Sequence, residues 1–294
     1  MLWLIVVTIA YLFYAAVFVI DKYILSRPMP HPIVFAFYVC VLSLLVIVLI
    51  PFGFVMPNGS EIFWSLLAGL VQVIATIMLY KVLNKGEVSR VVPFIGAVSA
   101  VFIFILNSIM VKEFLSSRQI IAFFLLIIGS FIIGFKKEEF LGKKIVGLAI
   151  ASAFLFALFW IITKYLFLGT NFISGLIWVR VGAALWGLAL LLPKKNRELI
   201  FSKTKETKPK IFGFFMVSRV MNAVGGILLY WAVFLGSVVL INALQGLQYL
   251  FILLLAFLLF KKIPILKEQF GREVLIQKIA AIVLICLGLA FLVI

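Results

Sequence analysis

Long apolar runs, most of them about 20 residues in length, divide this sequence. An α-helix needs such a run to cross the hydrocarbon core of a bilayer. Ten runs lie near residues 2–20, 32–54, 61–84, 88–111, 117–135, 145–168, 172–192, 211–234, 237–260 and 274–294. They are continuous rather than alternating, unlike the strands of a membrane β-barrel. With 66% hydrophobic and 12% charged residues, an ordinary soluble domain is also excluded. The sequence predicts an all-α integral membrane protein with ten transmembrane helices.

The positive charge is confined mainly to one set of loops. The formal net charge is +16, and 21 of the 26 lysines and arginines lie in the odd-numbered loops. They form no face of basic and aromatic residues typical of nucleic-acid binding, so we expect no nucleic-acid partner. Basic loops remain in the cytoplasm during membrane insertion. This bias predicts a multi-pass protein of the inner (cytoplasmic) membrane with both termini outside.

The apolar runs form two copies of five. An offset of 150 relates Tyr80 to Tyr230, Gly86 to Gly236 and Gly96 to Gly246, whereas the first and sixth helices match at 142 and Gly129 matches Gly288 at 159. The offset changes within the loops near 193–210 and 263–272. Residues 1–140 and 141–294 are therefore predicted to be two five-helix repeats. Because five is odd, the copies enter the membrane in opposite orientations, as in many secondary transporters.

One segment carries a family resemblance. Residues 79–93, Leu-Tyr-Lys-Val-Leu-Asn-Lys-Gly-Glu-Val-Ser-Arg-Val-Val-Pro, resemble the junction of the third and fourth helices in EamA-like transporters of the drug/metabolite transporter superfamily. The resemblance implies ten helices around a central cavity and alternating access for a metabolite or drug. Arg180 matches an arginine common in the second helix of a repeat. The first copy has Tyr38 at that position, and the second has Lys261-Lys262-Ile263 where the first has Val111-Lys112-Glu113.

Two arginines lie deep inside apolar runs. Arg180 and Arg219 are each about 12 Å from a helix end, where a cation costs about 2.5–3.5 kcal/mol on insertion scales. All ten acidic residues map to loops or helix ends. An arriving anion would supply the missing negative charge, and the planar guanidinium suits a carboxylate or phosphate. Alternatively, each arginine binds helix-end carbonyls or extends toward the membrane surface.

Polar residues follow the same helix face as Arg219. Arg219, Asn222, Gly226 and Tyr230 are spaced by 3, 4 and 4, and Gly69, Gln72, Thr76 and Tyr80 repeat that spacing in the first copy. A further polar stripe, Asn242, Gln245 and Tyr249, is predicted on the ninth helix. Polar side chains also join membrane helices to one another. The predicted substrate-binding residues are Arg219, Arg180, Asn222, Gln72, Tyr230, Thr76, Tyr80, Asn242, Gln245 and Tyr249.

Four residues near helix ends are candidates for gating. Lys22 and Lys164 recur at matching ends of the first and sixth helices, and Phe18 and Trp160 lie one turn before them. A lysine at a helix end ordinarily extends to the membrane surface, and an aromatic residue ordinarily packs. The repetition of these residues keeps a role at the entrance open.

The sequence predicts a secondary transporter of a small anionic or zwitterionic metabolite, working as an exporter or exchanger. An exporter of amphipathic drugs or a flippase for a phosphorylated lipid is the alternative, and a membrane enzyme or scaffold is the alternative from another class. No phosphate-binding loop, catalytic constellation or metal-ligand cluster is recognisable, so we expect no enzyme activity, metal or cofactor. The expected partners are the substrate and the lipid bilayer, with a monomer or homodimer as the unit.

Overall fold

The computed structural model describes residues 2–25, 31–85, 88–134, 142–205, 209–259 and 272–293, which form helices and turns without strands. The helices in chain order are α1 (Leu2–Leu25), α2 (Pro32–Val41), a 3₁₀-helix (Leu42–Phe52), α3 (Gly59–Leu83), α4 (Val88–Met110), α5 (Ser117–Gly134), α6 (Lys143–Gly169), α7 (Phe172–Ala189), α8 (Lys194–Lys205), α9 (Pro209–Leu235), α10 (Val238–Ala243), α11 (Gly246–Leu259) and α12 (Arg272–Val293).

Most of these helices can span a bilayer. Eight helical segments in the described part of the chain are long and apolar enough to cross a membrane. Two shorter apolar helical segments, Ser117–Ile132 and Val238–Ile252, lie at the fifth and ninth predicted runs. The prediction of an all-helical, multi-pass membrane protein is confirmed.

Local sequence signals fix where several helices begin. Asn58 Oδ1 accepts a hydrogen bond from Glu61 N at 2.9 Å, and Glu61 Oε2 accepts one from Asn58 N at 2.8 Å. This reciprocal pair satisfies two amide groups at the start of α3 that lack helical partners. Asn171 Oδ1 accepts from Ser174 N at the start of α7. Both starts therefore follow from an asparagine placed just before an apolar run.

The second predicted span is not a uniform α-helix. The α-helix ends at Val41, and a 3₁₀-helix continues from Leu42 to Phe52 with Pro51 inside it. Ser43 Oγ lies 3.2 Å from the carbonyl oxygen of Arg180 on α7. A 3₁₀-helix rises about 2.0 Å per residue, more than an α-helix, so this segment extends further than the expected helix.

The ninth predicted span, 237–260, is broken. α10 ends at Ala243, and α11 begins at Gly246. Gln245 N donates to Asn242 O at 3.1 Å, and Leu247 N donates to Leu244 O at 2.9 Å. These bonds reach three residues back instead of four, which tightens the chain and separates the two helices. The basic segment after α7, predicted to be a loop, contains the additional helix α8.

Three helix pairs make the most extensive contacts: α1 with α9, α3 with α6, and α5 with α12. Ser152 Oγ of α6 donates to Ala75 O of α3 at 3.1 Å. In the crossing of α1 and α9, the carbonyl oxygen of Ala10 lies 3.4 Å from the position that a Cβ on Gly225 would take. Each pair therefore joins a helix from one half of the chain to a helix from the other half.

The packing of α5 against α12 is reciprocal. A Cβ on Gly129 would lie 2.8 Å from Ile285 and 3.1 Å from the carbonyl oxygen of Ala281. A Cβ on Gly288 would lie 2.8 Å from Leu126 and 3.2 Å from the carbonyl oxygen of Ala122. In both directions the glycine contacts residues that lie three and seven positions before the opposite glycine.

The closest backbone approach joins α3 to α7. A Cβ on Gly69 would overlap the backbone of Gly182, and a Cβ on Gly182 would overlap the carbonyl oxygen of Ser65. Gly69 is residue 11 of the 25 in α3, and Gly182 is residue 11 of the 18 in α7, so the crossing lies near the middle of both helices. Among the residues that the structure describes, α2 and α9 do not form a comparable contact. α3 and α7 are therefore tightly joined near their midpoints.

This crossing predicts a cost for adding one methyl group. Gly182→Ala forces α3 and α7 apart, and we expect it to destabilise the protein by about 1–3 kcal/mol and to lower the melting temperature by at least ~3 °C. Gly147→Ala is the matched control, because nothing lies within 4 Å of a Cβ at that helical glycine. Thermal unfolding of both purified variants tests this, and equal melting temperatures would contradict the described crossing.

Candidate functional site

Arg180 and Tyr230 form the centre of the candidate site. The guanidinium carbon of Arg180 lies 4.6 Å from the centre of the Tyr230 ring, within the range of a cation–π contact. Gly226, one turn earlier on α9, leaves the space that this arrangement occupies. A Cβ there would lie 3.2 Å from Arg180 Nη2 and 3.5 Å from the hydroxyl of Tyr14 on α1. Helices α1, α7 and α9 thus converge at one point.

Tyr230 is buried with an unpartnered hydroxyl group. The residue is 1% exposed, and its Oη has no hydrogen-bond partner. Aromatic residues hold the ring in place: Trp160 lies 5.2 Å away and Phe159 and Phe167 each lie 6.3 Å away, between ring centres. A buried hydroxyl without a partner carries a desolvation cost of about 1–3 kcal/mol. A polar ligand group at this hydroxyl would remove that cost.

The charge of Arg180 is also left uncompensated. In the part of the chain that the structure describes, no carboxylate forms an ion pair with it. Its guanidinium lies over the Tyr230 ring, and its Nη2 and the Tyr14 hydroxyl both lie close to Gly226. A guanidinium and two hydroxyls are all hydrogen-bond donors, and together they suit an anion.

Arg219 lies in a separate cluster. Its guanidinium carbon is 5.0 Å from the ring centre of Phe35 on α2, and the Phe35 ring is 4.1 Å from that of Tyr80. Its Nη2 donates to Ser218 Oγ at 3.0 Å. Eleven residues separate Arg219 from Tyr230, which corresponds to about 16 Å along a helix. The two arginines therefore contact different aromatic partners rather than forming one cluster.

The other residues of the predicted stripes are distributed unevenly. Thr76 Oγ1 donates to the Gln72 carbonyl of its own helix at 2.7 Å. The Gln72 side-chain oxygen is buried without a hydrogen-bond partner. Gln72 and Asn222, which are both half-buried, do not hydrogen-bond to each other in the described part of the chain. The structure thus leaves Gln72 with an unused acceptor.

The polar stripe of the ninth span faces α4. Gln245 Oε1 and Tyr249 Oη would lie 2.5 and 2.7 Å from a Cβ on Gly96. Tyr249 Oη donates to the Val92 carbonyl at 3.1 Å, and Asn242 Nδ2 donates to Val238 O at 2.9 Å. The Tyr249 bond joins α11 to α4, whereas the Asn242 bond lies within α10.

Lys164 is buried within the protein rather than extended to the membrane surface. It is 7% exposed, and its Nζ donates to the carbonyls of Val233 at 2.9 Å and Gly236 at 2.7 Å. A cation at this place satisfies carbonyls that the end of α9 leaves free. Glu113 is the acidic neighbour that acts electrostatically on Lys164, and its Oε2 is buried without a hydrogen-bond partner.

Among the remaining gating candidates, Trp160 contacts the Tyr230 ring. Phe18 is half-buried, whereas Lys22 belongs to α1 with its side chain outside the described residues.

Three neighbours of the site were absent from the sequence-based set: Tyr14, Phe35 and Glu113. Tyr14 precedes Phe18 by four residues, so the face of α1 that carries Phe18 and Lys22 could have suggested it. Nothing in the sequence marks Phe35 among its 31 phenylalanines. Glu113 lies in a loop between spans, and only folding brings it near Lys164.

Comparison with known proteins gives a family match in the first half of the chain. The model of the EamA-like transporter family matches residues 1–135. The match covers a little under half of the chain. The predicted resemblance is thereby confirmed over these residues. The matched EamA-like segment falls within the predicted first repeat.

The likeness to solved structures covers nearly the full length of the chain. One of them, described only as the crystal structure of a protein, aligns with 98% of this chain and 96% of its own, with a TM-score of 0.69 and 14% sequence identity. At that identity the similarity concerns the fold. None of the curated proteins matches the chain.

The position of Lys164 generates a stability prediction. Lys164→Met removes two charged hydrogen bonds, each contributing about 1.5–3 kcal/mol, and leaves Glu113 without its neighbouring cation. We expect a lower melting temperature and faster hydrogen exchange at the end of α9. Lys144→Met, at an exposed position of the same helix α6, is the control. If both variants melted alike, Lys164 would not hold the end of α9.

Proposed function

We propose that this EamA-like protein is a secondary transporter of a small anionic or zwitterionic metabolite. The observation that carries the proposal is the site formed by Arg180, Tyr230 and Tyr14. It offers a guanidinium and two hydroxyls from three helices, with no ion-paired carboxylate among the described residues. A carboxylate or phosphate bound there would accept hydrogen bonds from the donors and compensate the buried charge.

The proposed architecture is ten spans in two inverted five-helix repeats, 1–140 and 141–294. The crossing of α6 over α3 at Ser152 and Ala75 corresponds, through offsets of 142 and 150, to the crossing of α1 and α9 at Ala10 and Gly225. The reciprocal contacts of Gly129 and Gly288 are related by an offset of 159. Packing that is exchanged between two halves in this way supports an internal two-fold relationship.

The differences between the halves support alternating access. α3 and α7 are in backbone contact at Gly69 and Gly182, whereas the corresponding pair, α9 and α2, is not closely packed. The less closely packed pair, α9 and α2, begins on the side of the proposed membrane opposite to the start of α3 and α7, and we propose that this side is the open one. By the basic-loop rule the open end faces the cytoplasm and the termini lie outside.

In this arrangement Arg219 precedes Arg180 along the path from the open end. The two guanidinium groups contact rings on different helices, about three helical turns apart along α9. An entering anion would meet Arg219 beside Phe35 and then reach Arg180 beside Tyr230. The described transmembrane segments place no carboxylate at the site, which favours facilitated export or exchange over proton coupling through an acidic residue.

The binding test begins with the purified protein. We expect a member of a panel of organic acids, amino acids, sugar phosphates and nucleotide sugars to raise its melting temperature, and the same compound to cross proteoliposomes. A folded preparation without any stabilising ligand or flux would favour a scaffold instead.

Two substitutions then locate the site. Loss of the charged hydrogen bond should make Arg180→Gln bind the stabilising compound about 10- to 100-fold more weakly. Tyr230→Phe should weaken binding severalfold while leaving the melting temperature of the ligand-free protein unchanged or higher, because its hydroxyl has no protein partner.

Arg118→Gln and Tyr165→Phe are the controls, since both residues are exposed and lie away from the site. Isothermal titration on all four variants checks these effects. Unchanged affinity in Arg180→Gln would refute the assignment of the site.

A further inference from the structure

The helix between α7 and α9 has an exposed stripe that the transport site does not use. Lys194, Arg197 and Phe201 of α8 follow one another at spacings of 3 and 4, which places them on one face. All three are exposed, and Phe201 is 55% exposed. The stripe therefore combines two cations with one large apolar ring.

A different face of α8 fixes the helix to the rest of the protein. Ile200 is fully buried and packs in a cluster with Val34 and Phe37 of α2. Leu199 is half-buried against the same cluster. Because this contact sets the rotation of α8 about its axis, the basic stripe remains directed away from α2.

The residues around the stripe indicate which partner binds it. Leu192, just before α8, is 83% exposed, so apolar side chains occur at two points beside the cations. In the described part of the chain, neither Lys194 nor Arg197 forms an ion pair with a carboxylate. A helix with Lys and Arg beside large apolar side chains is typical of the boundary between headgroups and acyl chains. α8 follows the membrane-spanning helix α7 after a short turn, which keeps it near that boundary.

We infer that α8 is an interfacial helix whose Lys194–Arg197–Phe201 stripe binds the phosphate groups of anionic phospholipids. The two cations pair with the headgroup phosphates, and Phe201 and Leu192 enter the boundary region below them. This binding site is separate from the Arg180 site and does not depend on the transported substrate.

The packing of α8 on α2 connects this lipid site to the residues of the proposed transport path. Val34 and Phe37, which hold Ile200, flank Phe35 on α2, and Phe35 is the ring beside Arg219. Anionic lipid bound to α8 thus stabilises the position of α2.

The test uses the full-length protein in nanodiscs of phosphatidylcholine alone or of equal parts phosphatidylcholine and phosphatidylglycerol. We expect a higher melting temperature in the mixed discs. The double variant Lys194→Gln/Arg197→Gln should lose most of that increase. In detergent, its affinity for added phosphatidylglycerol should fall about 25-fold, because each cation near a surface contributes about fivefold.

The control variant Lys195→Gln/Lys144→Gln removes the same charge from exposed positions outside the stripe. It should retain the full stabilisation by phosphatidylglycerol. Equal losses in the two double variants would refute the stripe and leave only a general effect of net charge.

A last arm separates lipid from free phosphate. Glycerol 3-phosphate added to the detergent-solubilised protein should leave the melting temperature unchanged. If it stabilised the wild-type protein as strongly as phosphatidylglycerol, and the Lys194→Gln/Arg197→Gln variant lost that effect, the stripe would be a site for a soluble anion and the lipid assignment would be wrong.

Discussion

The absence of water from the bilayer core is the constraint on which this structure depends. Every backbone amide and carbonyl there must be satisfied inside the protein, which makes a helix the unit of the fold. Side chains obey the same rule, since Thr76 and Asn242 bond to carbonyls of their own helices. Lys164 binds the carbonyls at the end of α9. The unpartnered hydroxyl of Tyr230 beside the Arg180 cation is one of the exceptions, and the proposed binding site rests on it.

The proposed repeats differ most where one has glycine and the other arginine. In their register Gly69 corresponds to Arg219, and Gly182 corresponds to Cys40. Two glycines allow α3 and α7 to meet backbone to backbone, but an arginine at the equivalent point of α9 cannot enter such a contact. The side chain of Arg219 instead extends to Phe35. The proposed second repeat thus has an arginine where the first has a glycine at a tight crossing, and this difference accounts for the different packing of the two halves.

Helix boundaries could be predicted from the sequence except where side chains from other helices intervene. The runs at 61–84 and 172–192 gave α3 and α7 within a few residues, because apolar length and an asparagine before each run are local signals. The break between α10 and α11 has no such signal: it lies where Gly246 packs against Ser130 of α5, and where Gln245 and Tyr249 meet Gly96 of α4. Helix α8 was missed because its composition is that of a solvated loop, and its packing against α2 through Ile200 and Leu199 is not visible in the sequence.

The amino-acid sequence by itself determined the membrane environment, the helical class, the family resemblance of the first half and the presence of two deep arginines, since each of these follows from run length, residue type or a contiguous motif. Tertiary structure decided which of the polar residues meet. Helical periodicity places Arg219 and Tyr230 on one face of α9 but does not specify the rotation of neighbouring helices around it. That rotation is set by close contacts such as Gly225 with α1 and Gly69 with Gly182. Those contacts bring Arg180 and Tyr14 to Tyr230 and leave Arg219 beside Phe35, a separation that no one-dimensional pattern contains.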